Sequence, residues 1–151
     1  MGSAACAGPG GAMTQEAQIM CGVILITVPS IQYGGYFLLS SLRDRTSGYM
    51  DNALRQNFFR AGHAHAGVIV ILSLVCQLLA DGATLPASLL WMTRIGVPLS
   101  AILIPAGFFF SMLTPSSEKP NGMVSLIYAG AVVLAVSVVT LGVGLLRAAI
   151  R

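Results

Sequence analysis

From Ile19 to Leu42 the chain runs without one charged side chain, and about 20 consecutive apolar residues are enough to cross the hydrocarbon core of a bilayer. Three further stretches, near 61–80, 95–113 and 122–146, also lack Asp, Glu, Lys and Arg. Composition agrees: 56% of residues are hydrophobic and 9% charged, where a soluble domain carries roughly a quarter charged. Eight basic and five acidic residues cannot clothe a water-facing surface. The expected fold class is therefore an all-α integral membrane protein. Its four transmembrane helices should form an up-down-up-down bundle, since the connections are short.

The segments between the spans carry the remaining signals. Residues 1–18 are expected to form a disordered N-terminal tail, with Met13 a candidate start. Residues 19–147 form the transmembrane domain and 148–151 a C-terminal tail. The first loop holds Arg43, Arg45, Arg55 and Arg60, and the third holds Lys119 within TPSSEKPNG. The other side has Arg94, Arg147 and Arg151. Because basic loops stay cytoplasmic, both termini are expected on the non-cytoplasmic side of a plasma or inner membrane. Residues 82–93 read as a connector, with Trp91 as an interfacial anchor. Pro29 should kink the first helix, Gly34-Gly35 should admit a close neighbour, and Pro98 and Pro105 should break the third.

The halves also resemble each other. HAGVIVILSLV (65–75) lies against YAGAVVLAVSV (128–138), and GYFLL (35–39) against GFFFS (107–111). Such similarity is the mark of two parallel two-helix repeats, although apolar helices share a small alphabet.

Titratable groups enter an apolar span only in FFRAGHAHAG, residues 58–67. Ionisable residues inside a membrane are costly unless paired or solvated, so His63, His65 and the preceding Arg60 are the candidate ligand-binding residues. At 100° per residue, Gly62, Ala66, Ser73, Gln77 and Ala80 share an inner face of the second helix. Ala64, Val68, Ile71, Val75, Leu78 and Leu79 share an outer one. His63 and His65 flank the inner face on either side. They diverge too far to hold one metal ion together, but a single imidazole suffices as an axial haem ligand, a hydrogen-bonding partner for a quinone, or a proton relay. On the fourth helix, Gly130, Val133, Ser137, Thr140 and Gly144 form a packing stripe. Cys6, Cys21 and Cys76 show no CxxC spacing and read as free thiols.

The Arg-x-x-His start of the second helix resembles the haem-ligating helix of haem-copper oxidase subunits, which implies His63 or His65 as an axial ligand. The four-helix plan, the Arg-rich first loop and Arg60-Ala61 with His63 resemble the membrane-associated eicosanoid and glutathione metabolism family, which implies glutathione-dependent transfer. Ala64, His65 and Ala66 replace the Asn and Glu of that pattern, and Phe108 to Phe110 stand where its third helix has Arg and Tyr. The five acids lie in tails or loops and no phosphate-cradling glycine loop is present. The leading expectation is thus a non-enzymatic accessory subunit of a membrane complex, in contact with the lipid bilayer and with a membrane-protein partner or a second copy of itself. A haem- or quinone-binding redox protein and a glutathione-dependent transferase are the alternatives. Nucleic acid is not an expected partner.

Overall fold

A computed structural model describes residues 13–150 apart from the Arg45 side chain; of the tail expected to be disordered over residues 1–18, residues 1–12 lie outside the described residues, as does Arg151, whereas helix already begins at Gln15 because Thr14 caps it. Among the described residues the fold is all helical, without strands. The four helices are α1 (Gln15–Arg43), α2 (Ala53–Ala80), α3 (Ala87–Ser111) and α4 (Ser125–Ala149). Short 3-10 turns lie at Arg45–Ser47, Tyr49–Asp51 and Gly122–Val124. Among the described residues, four helices are long and apolar enough to cross a membrane.

The helices outrun the apolar stretches. α2 begins eight residues before Ala61 and α3 eight before Ile95, so the expected connector 82–93 shrinks to the segment before Ala87. Charge ends an apolar run but not a helix, because Arg and Gln are good helix formers. Side-chain caps set the starts of α1 and α2, whereas α3 begins after Pro86 without one. The Thr14 hydroxyl accepts from the Ala17 amide at 3.2 Å, and the Asn52 carboxamide oxygen from the Arg55 amide at 3.0 Å.

The prolines do not interrupt the helices. α1 runs through Pro29 and α3 through Pro98 and Pro105, against the break expected in α3. A proline removes one amide donor and frees the carbonyl four residues earlier. For Pro98 that carbonyl belongs to Arg94, and the Gln77 carboxamide nitrogen of α2 donates to it at 2.8 Å. A side chain from the neighbouring helix replaces the lost backbone bond.

α3 is the centre of the packing: it lies along both α2 and α4, while α1 rests mainly on α2. The α3–α4 seam is built on glycine. A Cβ at Gly130 would come within 2.6 Å of Ile104, and one at Gly107 within 2.6 Å of Ile127. Of the expected α4 stripe, Gly130, Ser137 and Gly144 are buried and Val133 and Thr140 half-buried. The α2 faces also come out as the periodicity places them. Gly62, Ser73, Gln77 and Ala80 are buried and Ala66 half-buried, while all six residues of the opposite face are exposed. The aligned glycines of the internal similarity have unlike surroundings: Gly130 is clasped by α3, whereas Gly67 faces open space.

Hydrogen bonds tie the helix ends together in two groups. At one end Asn52, before α2, donates through its carboxamide nitrogen to the carbonyls of Pro115 and Ser117, beyond α3, both at 2.8 Å. A cluster of Leu38, Tyr49, Phe59 and Met112 packs there. At the other end Thr14, before α1, bonds to Asp81, after α2, and the Thr84 amide donates to the Gly144 carbonyl of α4 at 3.0 Å.

The seam makes a paired prediction. Gly130→Ala, forced against Ile104, lowers stability by about 1–3 kcal/mol, whereas Gly67→Ala leaves it unchanged or raises it by up to ~1 kcal/mol. Unfolding of both variants by denaturant in detergent checks the contrast.

Candidate functional site

With α2 starting at Ala53, His63 lies ten residues inside the helix, about 15 Å from its first residue. The two imidazoles turn to different neighbours. The His63 ring, half-buried, lies against the Gly34-Gly35 pair of α1, where a Cβ on Gly35 would stand 3.2 Å from Nε2 and one on Gly34 3.4 Å from Nδ1. The close neighbour expected of these glycines is thus an imidazole. His65 faces α3 instead. Its ring stacks on Phe108 with centroids 5.2 Å apart, and its Nδ1 is 2.7 Å from the Ala61 carbonyl oxygen. A carbonyl only accepts, so in the neutral ring Nδ1 is the protonated nitrogen and Nε2 the one with the lone pair. His65 is exposed, although its ring lies against α3. Its position at the margin of the packed face meets one aromatic ring rather than a closed interface.

Rings this divergent do not share a metal ion, and among the described residues there is no group of three His, Cys, Asp or Glu side chains that could hold one. The His63 ring nitrogens lie 3.2 and 3.4 Å from where Cβ atoms on Gly35 and Gly34 would stand, so a side chain at either position would crowd the ring. Arg60 does not join the histidines: it is exposed, 3.4 Å from the Gln56 side-chain oxygen one turn earlier. Arg55, counted from the sequence only as a first-loop charge, does more. It donates from Nε to the Met112 carbonyl at 3.1 Å, with its guanidinium 4.6 Å from the Phe59 ring centroid.

His63 borders a crevice of about 340 Å³ that runs between α1, α2 and α3. Ile24, Ile31, Ala66, Val70 and Ile102 give it apolar walls, and Pro98 and Pro105 of α3 complete one side. The hydroxyls that reach it are already engaged. Thr27 donates to the Ile24 carbonyl, Ser30 to that of Thr27 and Ser73 to that of Ile69, each within 2.7 Å. The imidazole of His63 is the one lining side chain with hydrogen-bonding atoms that has no partner among the described residues.

The most heavily bonded polar group is one that charge counting assigned to a loop. Arg94 lies inside α3 with only 3% of its side chain exposed. It donates to Asp81 at 2.6 Å and, from its other terminal nitrogen, to both the backbone and side-chain oxygens of Gln77 at 3.2 Å. Asp81 in turn accepts from the Thr14 hydroxyl at 2.6 Å and from its amide at 3.0 Å. Partial burial works against the Asp81 carboxylate, but the bonds from Thr14 and Arg94 together hold its pKa below the ordinary carboxylate value. A signal for this network was present in the sequence. Asp81 and Arg94 are the only opposite charges flanking one short connection, and Pro98 follows Arg94 by one turn.

No family model, curated protein or solved structure matches this chain.

Two outcomes are expected. Nitrogen-15 spectra of labelled protein should show His65 as the Nδ1-protonated tautomer. Removing the carboxylate with Asp81→Asn leaves a buried guanidinium underpaired. That costs on the order of 2 kcal/mol, below the figure for a fully enclosed pair because Asp81 is partly open to solvent. Since the folded pKa is lowered, this stabilisation is complete above the ordinary carboxylate range and is lost as pH falls through the folded value. The melting temperature should therefore hold steady from about pH 8 to 5 and drop in acid, and the drop should shrink in Asp81→Asn.

Proposed function

We propose that this chain is an integral membrane protein, an up-down-up-down bundle of four spans, that acts without catalysis as a subunit of a larger membrane assembly. The observation that carries the subunit reading is the outer surface of α1. Its inner positions Ile24 and Leu38 are buried, yet Gln32, Tyr33, Tyr36 and Ser40 are all exposed on the outward side. Gln32 is three residues from the middle of the helix, about 5 Å along its axis. At that depth an outward carboxamide faces hydrocarbon unless another helix supplies a partner, and interhelical hydrogen bonds are the usual remedy. The occupant proposed is a helix of a different membrane protein that carries a hydrogen-bonding side chain at matching depth.

The membrane reading draws support from the exposed aliphatic face of α2, with Val68, Ile71 and Leu78 all half or more exposed, and from the length of the four helices. Trp91, exposed early in α3, suits an interfacial anchor. The orientation with both termini outside the cytoplasm is favoured more than the raw charge count suggests. Arg94 is neutralised within the bundle and leaves the tally, so Arg43, Arg45, Arg55, Arg60 and Lys119 stand against Arg147 and Arg151.

The test is purification of the tagged full chain in mild detergent from its native membrane. A stoichiometric membrane-protein partner should co-purify, and Gln32→Leu combined with Tyr36→Leu should lower its recovery at least tenfold with the bundle still folded. Emergence of the wild-type chain alone and monomeric would overturn the reading.

A further inference from the structure

The crevice between α1, α2 and α3 has a shape and a chemistry that the subunit reading does not use. It extends from Gly34, His63 and Phe109 at one end to Val23, Ser73 and Pro98 at the other. The ten residues from His63 to Ser73 correspond to about 15 Å along α2. Its volume of about 340 Å³ falls at the lower bound for small-ligand pockets. That is room for one slender tail and a small head rather than a two-chain lipid. It exists because α1 leans on α2 without closing against α3, and because Ala66, Ala101 and Gly34 leave the walls low.

The polar groups are few and their arrangement is one-sided. The three lining hydroxyls give their protons to carbonyls of their own helices, so none is left to donate into the crevice, and the rest of the walls is apolar apart from His63. At one end stands His63, for which the described residues offer no hydrogen-bond partner. Pro105 has no amide to give to the Ala101 carbonyl one turn before it, and both residues line the crevice. No Lys or Arg lines it, so a carboxylate or phosphate head would enter without a counter-charge and at a high desolvation cost.

From this we infer that the crevice is a binding site for a single-tailed, membrane-soluble molecule with an uncharged head bearing a hydroxyl or carbonyl. The tail lies between α1 and α3, and the head bonds to the imidazole of His63. A neutral imidazole donates from one nitrogen and accepts at the other, so it serves a quinone carbonyl and an alcohol or quinol hydroxyl equally well. His65, turned to Phe108 on another side of α2, takes no part. The site needs no protein partner and stands or falls separately from the α1 surface.

The experiment places the full chain, with nitrogen-15-labelled histidine, in dioleoylphosphatidylcholine nanodiscs at neutral pH and titrates three probes: decylubiquinone, 1-dodecanol and laurate. Saturable shifts of the His63 nitrogen resonances, with His65 unmoved, are expected from one or both neutral probes. A response to decylubiquinone alone identifies a quinone-type carbonyl head, and to dodecanol alone a hydroxyl head. Laurate should bind at least tenfold more weakly. Ala66→Phe fills the crevice and should abolish the His63 shifts. If that variant melts early, Ile31→Phe fills the same space from α1 and replaces it. Absence of a saturable His63 shift with both neutral probes overturns the site. So does laurate binding as tightly as they do, or unchanged shifts in the folded, filled variant.

Discussion

A guanidinium buried in an otherwise apolar four-helix structure dictates much of what surrounds it. Arg94 cannot be left without partners in that setting, because an unpaired buried charge costs several kcal/mol. Its two main partners come from α2: Gln77, which both accepts from the guanidinium and caps the carbonyl that Pro98 frees, and Asp81, just past the helix end. Asp81 then reaches Thr14 at the start of α1. One cation thus sets where α2 ends, holds α3 against it and fixes the first turn of α1. The proline in α3 is tolerated because this same network supplies the missing donor.

Around that anchor the helices divide the work unequally. α3 and α4 approach closely because glycine alternates with larger residues across their seam, and van der Waals contact replaces polar fastening there. α2 is two-sided, with small and polar residues turned to its neighbours and aliphatic ones turned out. α1 is the least enclosed helix. Both of the functional readings, an outward surface around Gln32 and a crevice headed by His63, belong to that incompletely packed helix, on opposite sides of it.

Much of the fold was legible in the residues and some of it was not. The four apolar stretches and both faces of α2 followed from hydropathy and a 100° period, since these depend only on local geometry. The helix starts were missed because Arg55 and Arg60 look like loop charges while being sound helix formers, and Asn52 sets the true beginning. The Asp81–Arg94 pair was missed for a related reason: a charge at the edge of an apolar run reads as solvated unless the neighbouring helix is known. At the candidate site, the divergence of His63 and His65 was readable from their spacing. That one would meet a glycine pair and the other a phenylalanine depends on how α1 and α3 pack, which no single helix encodes.

The way α1 is held has a mechanical consequence. It is pinned at its first turn by the carboxylate of Asp81 and near its last turns by Leu38 in the aromatic cluster with Tyr49 and Phe59. Between those points it spans the crevice with Pro29, which lacks an amide donor, close to its midpoint. A rod clamped at both ends and weakened at the centre bends most easily there. Bowing of α1 therefore changes the width of the crevice without disturbing either anchorage, so the opening can breathe while the bundle's ends stay fixed.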